Sequence, residues 1–211
     1  EFRRVLFRSL GTGKVTLEGG TLRSSGGITF AASELVFGGN VTLAGTGNDV
    51  WSMPAAVLAG RQVITNATIG TATRTFAGTI AGPGTLVLAG SGGKGGIVLS
   101  GANTFTGGTV VEGGLVRALA ATSLGAGPAE ITGGRLELAG GATFANVITV
   151  DAKGRLDGNP GAVISGLLAG EGELAGSLRL AAGAVLSPGK GAGTLNLAGE
   201  LTLDRKSTRL N

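Results

Sequence analysis

The residues that most enzymes use for nucleophilic or zinc chemistry are missing from this chain, which contains no His and no Cys. Nucleophilic triads and zinc sites in their usual forms depend on those two residue types and are excluded. Carboxylates are the remaining candidates. Glu171 and Glu173 stand two apart, so on a strand they would share a face and could act as an acid and base pair on a polysaccharide. Glu137 near Arg135, and Glu112 near Arg117, could stack on neighbouring turns to set an acid beside a cation. The plainer reading of all of these is a set of solvated outward positions.

Two glycine-rich strings invite a phosphate-loop reading, GSGGKGG around Lys94 and SPGKGAGT around Lys190. A nucleotide loop needs Ser or Thr after its Lys, and both lysines are followed by Gly, so these strings are read as corner turns. Calcium-binding glycine-rich repeats need an Asp on every turn. The chain has only Asp49, Asp151, Asp157 and Asp204, and of these only Asp157 falls in a glycine-rich turn. Trp51, within GTGNDVWSMPAAVLAG, could stack on a sugar ring or plug a core. The expectation is a chain with no catalytic, cofactor-binding or metal-ligating residues, no cofactor, and no enzymatic activity.

Composition points the same way. Of 211 residues 43 are Gly, 42% are hydrophobic and 14% are charged. Disorder needs low hydrophobicity with high net charge, and collagen needs a strict Gly period with abundant Pro, so neither applies. The net charge of +4 would suggest a nucleic-acid partner if it were spread over the body. It is not: Arg3, Arg4 and Arg8 lie at one end and Arg205, Lys206 and Arg209 at the other. Taking these six and Glu1 from the 17 basic and 13 acidic residues leaves 11 against 12. No nucleic-acid partner is expected, and no apolar run is long enough for a membrane helix. Residues 1–9 and 205–211 also lack the glycine-turn phrasing of the rest. They are read as adaptor-like, non-native tails flanking a body at 10–204.

Inside that body a short phrase recurs, alternating apolar residues followed by a small residue and Gly. It appears as KVTLEGG from Lys14, ELVFGG from Glu34, TLVLAG from Thr85, TVVEGG from Thr109, RLELAGG from Arg135, SLRLAAG from Ser177 and TLNLAG from Thr194. With QVIT at Gln62 and GRLDG near Arg155 filling the gaps, intervals of about 17–28 residues point to a solenoid, because strands this short hide an apolar face only by stacking. An antiparallel sandwich would need tight hairpin dipeptides, and Asp157-Gly158 is the only one present. The expected fold is all-β, a right-handed single-stranded parallel β-helix of roughly nine turns, on the order of 40 Å long. Residues Gly45 to Gly60 depart most from the phrase and are the candidate excursion loop or distorted turn.

One string is more specific. GPGTLVLAG from Gly82, followed by LSGANTFTGGTVVEGG from Leu99, resembles the autotransporter-associated β-strand repeat of passenger domains. Gly101, Asn103, Thr104, Thr106, Gly107, Gly108 and Thr109 match the repeat's pattern, and Phe105 stands where Tyr is usual. The string from Leu115 looks like the repeat's continuation, and LSPGKGAGTLNLAGELTL from Leu186 is similar to a last passenger phrase. The likeness covers residues 82–203, with 10–81 similar in style alone.

This resemblance implies a structural or interaction module of type V secretion: a stalk, adhesin-related in role, on the cell surface and tethered to the outer membrane. Its partner would be a C-terminal β-barrel translocator in a further part of the parent chain, outside these 211 residues. A chain with 4% aromatic residues cannot itself supply the barrel's girdles. A host-surface or glycan ligand would be bound by the displayed passenger. The alternatives are a secreted β-helical polysaccharide lyase or hydrolase and, further off, a phage tailspike, which would trimerise.

Overall fold

The computed structural model describes residues 13–24, 26–30, 32–52, 56–68, 70–90, 95–189, 194–204 and 208–209. Among them every regular element is a β-strand and every strand pairing is parallel. The chain winds as a β-solenoid of about nine coils, with strands on two faces throughout and on a third face in the coils near either end.

Face I stacks Gly20–Ser24, Val41–Gly45, Arg61–Thr68, Thr85–Gly90, Thr109–Val111, Ala129–Ile131, Ile148–Val150, Leu167–Gly170, Val185–Pro188 and Thr208–Arg209. Face II stacks Thr29–Phe30, Asp49–Trp51, Arg74–Phe76, Ile97–Leu99, Leu115–Ala118 and Gly134–Leu138, then the starts of Gly154–Ile164 and Glu173–Leu180, and Asn196–Leu197. Face III carries Lys14–Leu17, Glu34–Phe37, Ala56–Leu58 and Ile80–Ala81 near one end. Near the other end the same position in the coil is held by Thr143–Phe144, the end of Gly154–Ile164, the end of Glu173–Leu180, and Glu200–Leu203.

Alternation sends every second side chain inward, and parallel register puts like on like. On face I, Ile64, Leu88, Val111, Ile131 and Val150 form one such ladder. On face II, Ile97, Val116, Leu136, Leu156 and Leu174 form another. All ten are buried. Burying each is worth about 1.5–3 kcal/mol, and no rung is complete without its neighbours. The coil length is free to vary because only the rungs are fixed: the step is 24 residues from Ile64 to Leu88 and 18 from Gly170 to Pro188.

Corners must satisfy the backbone that the strands leave over, and the Asn103–Thr109 block shows how. Buried Asn103 accepts from the Ile80 N–H at 2.8 Å through Oδ1 and donates to the Ser123 carbonyl at 2.6 Å through Nδ2. One amide therefore ties together three successive coils, using its acceptor below and its donor above. Buried Thr109 donates to the Leu124 carbonyl at 2.9 Å, and Phe105 is completely enclosed. Gly125 has φ of +75°, and a Cβ there would lie 2.7 Å from the Phe105 ring, so the aromatic residue requires glycine one coil on. Asn146 ties only the coil before it, donating to the carbonyls of Gly125 and Gly127 at 3.0 and 2.7 Å.

Glycine corners are as the sequence suggested, and the described residues of the Gly45–Gly60 stretch stay on the coil. Asp49–Trp51 and Ala56–Leu58 take their regular places on faces II and III. The phrase is lost there because two inward positions hold Asp49 and Trp51 in place of aliphatic residues. Residues 1–9, Lys94 and Lys190 lie outside the described residues, as does most of 205–211, of which Thr208–Arg209 adds a strand to face I.

Replacing Asn103 with Ala should strand the Ile80 N–H and the Ser123 carbonyl in the interior. Chemical denaturation should then show a loss of about 2–4 kcal/mol. A loss below about 0.5 kcal/mol would mean that the amide is not a tie.

Candidate functional site

The charged residues gather outside face II, where parallel register lines them up. Arg117, Glu137 and Asp157 form one outward column, and Arg135, Arg155 and Glu173 the column beside it. Arg117 Nε lies 3.2 Å from Glu137. Arg155 reaches Asp157 at 2.9 Å and Glu173 at 2.7 Å, and Arg135 also pairs with Asp157. Asn159 completes the group, donating to Glu137 at 3.4 Å and to the Leu138 carbonyl at 3.0 Å. Three guanidinium groups thus face three carboxylates across four coils, and Asp157 is buried beneath the two arginines that hold it.

This arrangement differs from the sequence expectations in three places. Glu112 pairs with Arg61 on face I and not with Arg117. Glu171 sits in the corner before the strand that Glu173 opens, so the two do not share a strand face, and Glu173 is engaged by Arg155. Asp157 is in mid-strand and not in a turn; the register shift comes after it, between Gly158 and Ala162. The pairing of Arg135 with an acid on the next coil is of the kind anticipated, with Asp157 as the partner and Glu137 taken by Arg117.

Chemically, the column offers mutual neutralisation. Each of its carboxylates is engaged by at least one guanidinium group. No group of three or more acids that could hold a metal ion occurs among the described residues. One shallow depression exists outside face I, lined by Arg61, Thr85, Gly107, Gly108, Val110, Pro128 and Glu130. Arg61, on its wall, pairs with Glu112.

Two features of the interior went unread in the sequence. Asp49 and Arg74 occupy the ladder that continues as Ile97 and Val116, and both are buried. Arg74 lies 3.2 Å from the Asp49 carboxylate and donates to the carbonyls of Gly47 and Thr73. Asp49 also accepts from the Ser24 hydroxyl at 2.6 Å and from the Ile28 N–H at 3.2 Å. Burial lowers the Arg74 guanidinium below its ordinary value, and the Asp49 charge opposes that shift. The available signal was the alternation itself, which puts Asp49 inward beside Trp51.

The second feature is an aromatic stack. Trp51 is 1% exposed and lies between Phe30, 4.0 Å away between ring centroids, and Phe76, 5.8 Å away, each inclined by 16°. These are three consecutive inward rungs of face II, so Trp51 is a core plug and not a sugar platform.

Comparison with protein-family models, with curated proteins and with solved structures gives no match. The class that fold and surface define is therefore a parallel β-solenoid with a mutually paired ionic column on one face.

Arg74→Leu alone should cost about 3–5 kcal/mol, because it leaves Asp49 charged and buried. Adding Asp49→Val should recover part of this, leaving the Ser24 hydroxyl and the Ile28 N–H as the residual cost. Denaturation of the three variants checks it; a double variant no more stable than Arg74→Leu would contradict the account. Trp51, the chain's single Trp, should emit in the blue range of buried indole and resist aqueous quenchers. Ready quenching by iodide would put it at the surface.

Proposed function

We propose that this chain is a structural and interaction module, the β-helical stalk of a type V autotransporter passenger. In this reading it is displayed at the bacterial surface, tethered to the outer membrane by a C-terminal β-barrel translocator encoded in the same gene. It would hold adhesive elements away from the cell, toward a host surface or glycan. The observation that carries the reading is the Asn103–Thr109 block. The residues that resemble the passenger repeat serve as corner ties between coils, a role that recurs wherever a rod is extended by repetition.

Other features agree with it. The face II carboxylates are held by arginines of adjacent coils, which suits a load-bearing surface better than a polysaccharide-cleaving site. Absence of Cys leaves nothing to cross-link while an unfolded chain crosses an oxidising compartment. Pairing confined to adjacent coils lets each one fold on the last as it emerges.

Sequencing the gene beyond Leu203 in its source DNA is the first test. Further glycine-bounded coils leading to an aromatic-girdled barrel are expected, whereas an acid-rich coil would replace this reading with the polysaccharide enzyme. The whole gene, expressed in a Gram-negative host, should give a product that protease removes from intact cells. Protection of that product until lysis would refute surface display. Uronate polysaccharides incubated with the chain should yield no unsaturated products.

A further inference from the structure

Asparagine amides tie coils together in this fold, and one of them keeps its nitrogen uncommitted. Asn40 is exposed at the corner between Glu34–Phe37 on face III and Val41–Gly45 on face I. Its Oδ1 accepts from the Val63 N–H of the next coil at 3.0 Å. That is the one hydrogen bond its side chain makes among the described residues, so Nδ2 is left without an acceptor there. The corner around it is bare. Gly38 and Gly39 precede Asn40, and Gly19 of the coil before lies so near that a Cβ on it would sit 3.3 Å from the Asn40 carbonyl oxygen. None of the three has a side chain to cover the amide.

The residue two positions on gives this nitrogen a specific chemistry. Asn40-Val41-Thr42 is an Asn-x-Thr triplet without Pro at its centre, the acceptor pattern for attaching a sugar to an amide nitrogen. Val41 is inward and buried, and alternation puts Thr42 on the outer side of face I, between Thr21 and Thr65 of the adjacent coils. The amide and the hydroxyl that a transferase reads together are thus both outside the coil. The chain has one other such triplet, Asn66-Ala67-Thr68, and the fold closes it. Asn66 and Thr68 are 6% and 5% exposed, and Asn66 is an inward rung between Leu43 and Gly90. A sugar on Asn66 would have to displace the core.

We propose that Asn40 is a site of N-linked glycosylation, the acceptor of a hexose from a nucleoside-diphosphate sugar. Nδ2 forms a bond to the anomeric carbon, and the bond from that carbon to the diphosphate oxygen breaks. The nucleoside diphosphate leaves with the electron pair, and one amide proton passes to the transferase's base. The product keeps Oδ1 as an acceptor, so the tie to Val63 survives, and the sugar projects from a corner without entering a rung. This proposal does not rest on the secretion reading.

The test uses a soluble N-glycosyltransferase chosen because it transfers glucose from UDP-glucose to a synthetic Ser24–Arg61 peptide. That enzyme is coexpressed with the 211-residue chain, and tryptic peptides of the soluble, folded product are weighed by mass spectrometry. The two triplets separate in the digest, on Ser24–Arg61 and on Gln62–Arg74. The first peptide should carry one hexose and the second none. Thr42→Val should abolish the hexose and Thr42→Ser should retain it, both with the circular dichroism spectrum unchanged. Glycosylated and bare chains should share one urea midpoint, because the Val63 tie is kept. A folded chain bare at Asn40, hexose on Asn66 of the folded chain, or modification indifferent to Thr42→Val would each overturn the proposal.

Discussion

Everything in this molecule depends on the parallel rung. A strand of three to five residues cannot satisfy its own backbone or hide its own apolar face, and parallel strands cannot be joined by a hairpin. The chain must make a full circuit before it meets itself. Each circuit then presents the same few inward positions at the same register, so aliphatic residues meet aliphatic residues and the core becomes a set of columns. The corners are subordinate to that requirement. They may take 18 or 24 residues per circuit provided they return the chain in register.

The same constraint explains why the polar interior is where it is. Columns tolerate a foreign rung only if it brings its own partners. Asp49 and Arg74 do so in part, being adjacent in one column and bonded to Ser24, Ile28 and Gly47 around them, while Nε and Nη2 of Arg74 are left without a hydrogen-bond partner among the described residues. Asn103 does so at a corner, where an amide that both accepts and donates matches one coil below and one above. Outside face II the register that builds the core also builds an ionic lattice, because charges about twenty residues apart become neighbours one rung apart.

Much of the architecture was legible in the sequence. Alternation bounded by Gly marked the strands, its period of about twenty residues marked the coil, and the lack of hairpin dipeptides argued for parallel pairing. Ionic partners were not legible, because they depend on register across coils of unequal length. Glu112 is closer in sequence to Arg117 than to Arg61, yet it pairs with Arg61. Asp157 looked like a turn residue because Gly158, Asn159, Pro160 and Gly161 follow it, but the strand runs on to Gly158 before the shift. Gly45–Gly60 looked irregular because pattern matching by residue type counts an inward Asp as a break. The backbone does not.

Variation in circuit length at constant rung spacing bears on how such chains change over evolutionary time. A segment cut at equivalent rungs, such as Val111 and Ile131, can be duplicated or deleted without disturbing the columns beyond the new junction. Each such event alters reach by one strand spacing, about 4.8 Å, while an insertion that respects the rungs only enlarges a corner. Length and surface decoration are therefore separately heritable in this architecture, and a lineage can tune either one without redesigning its core.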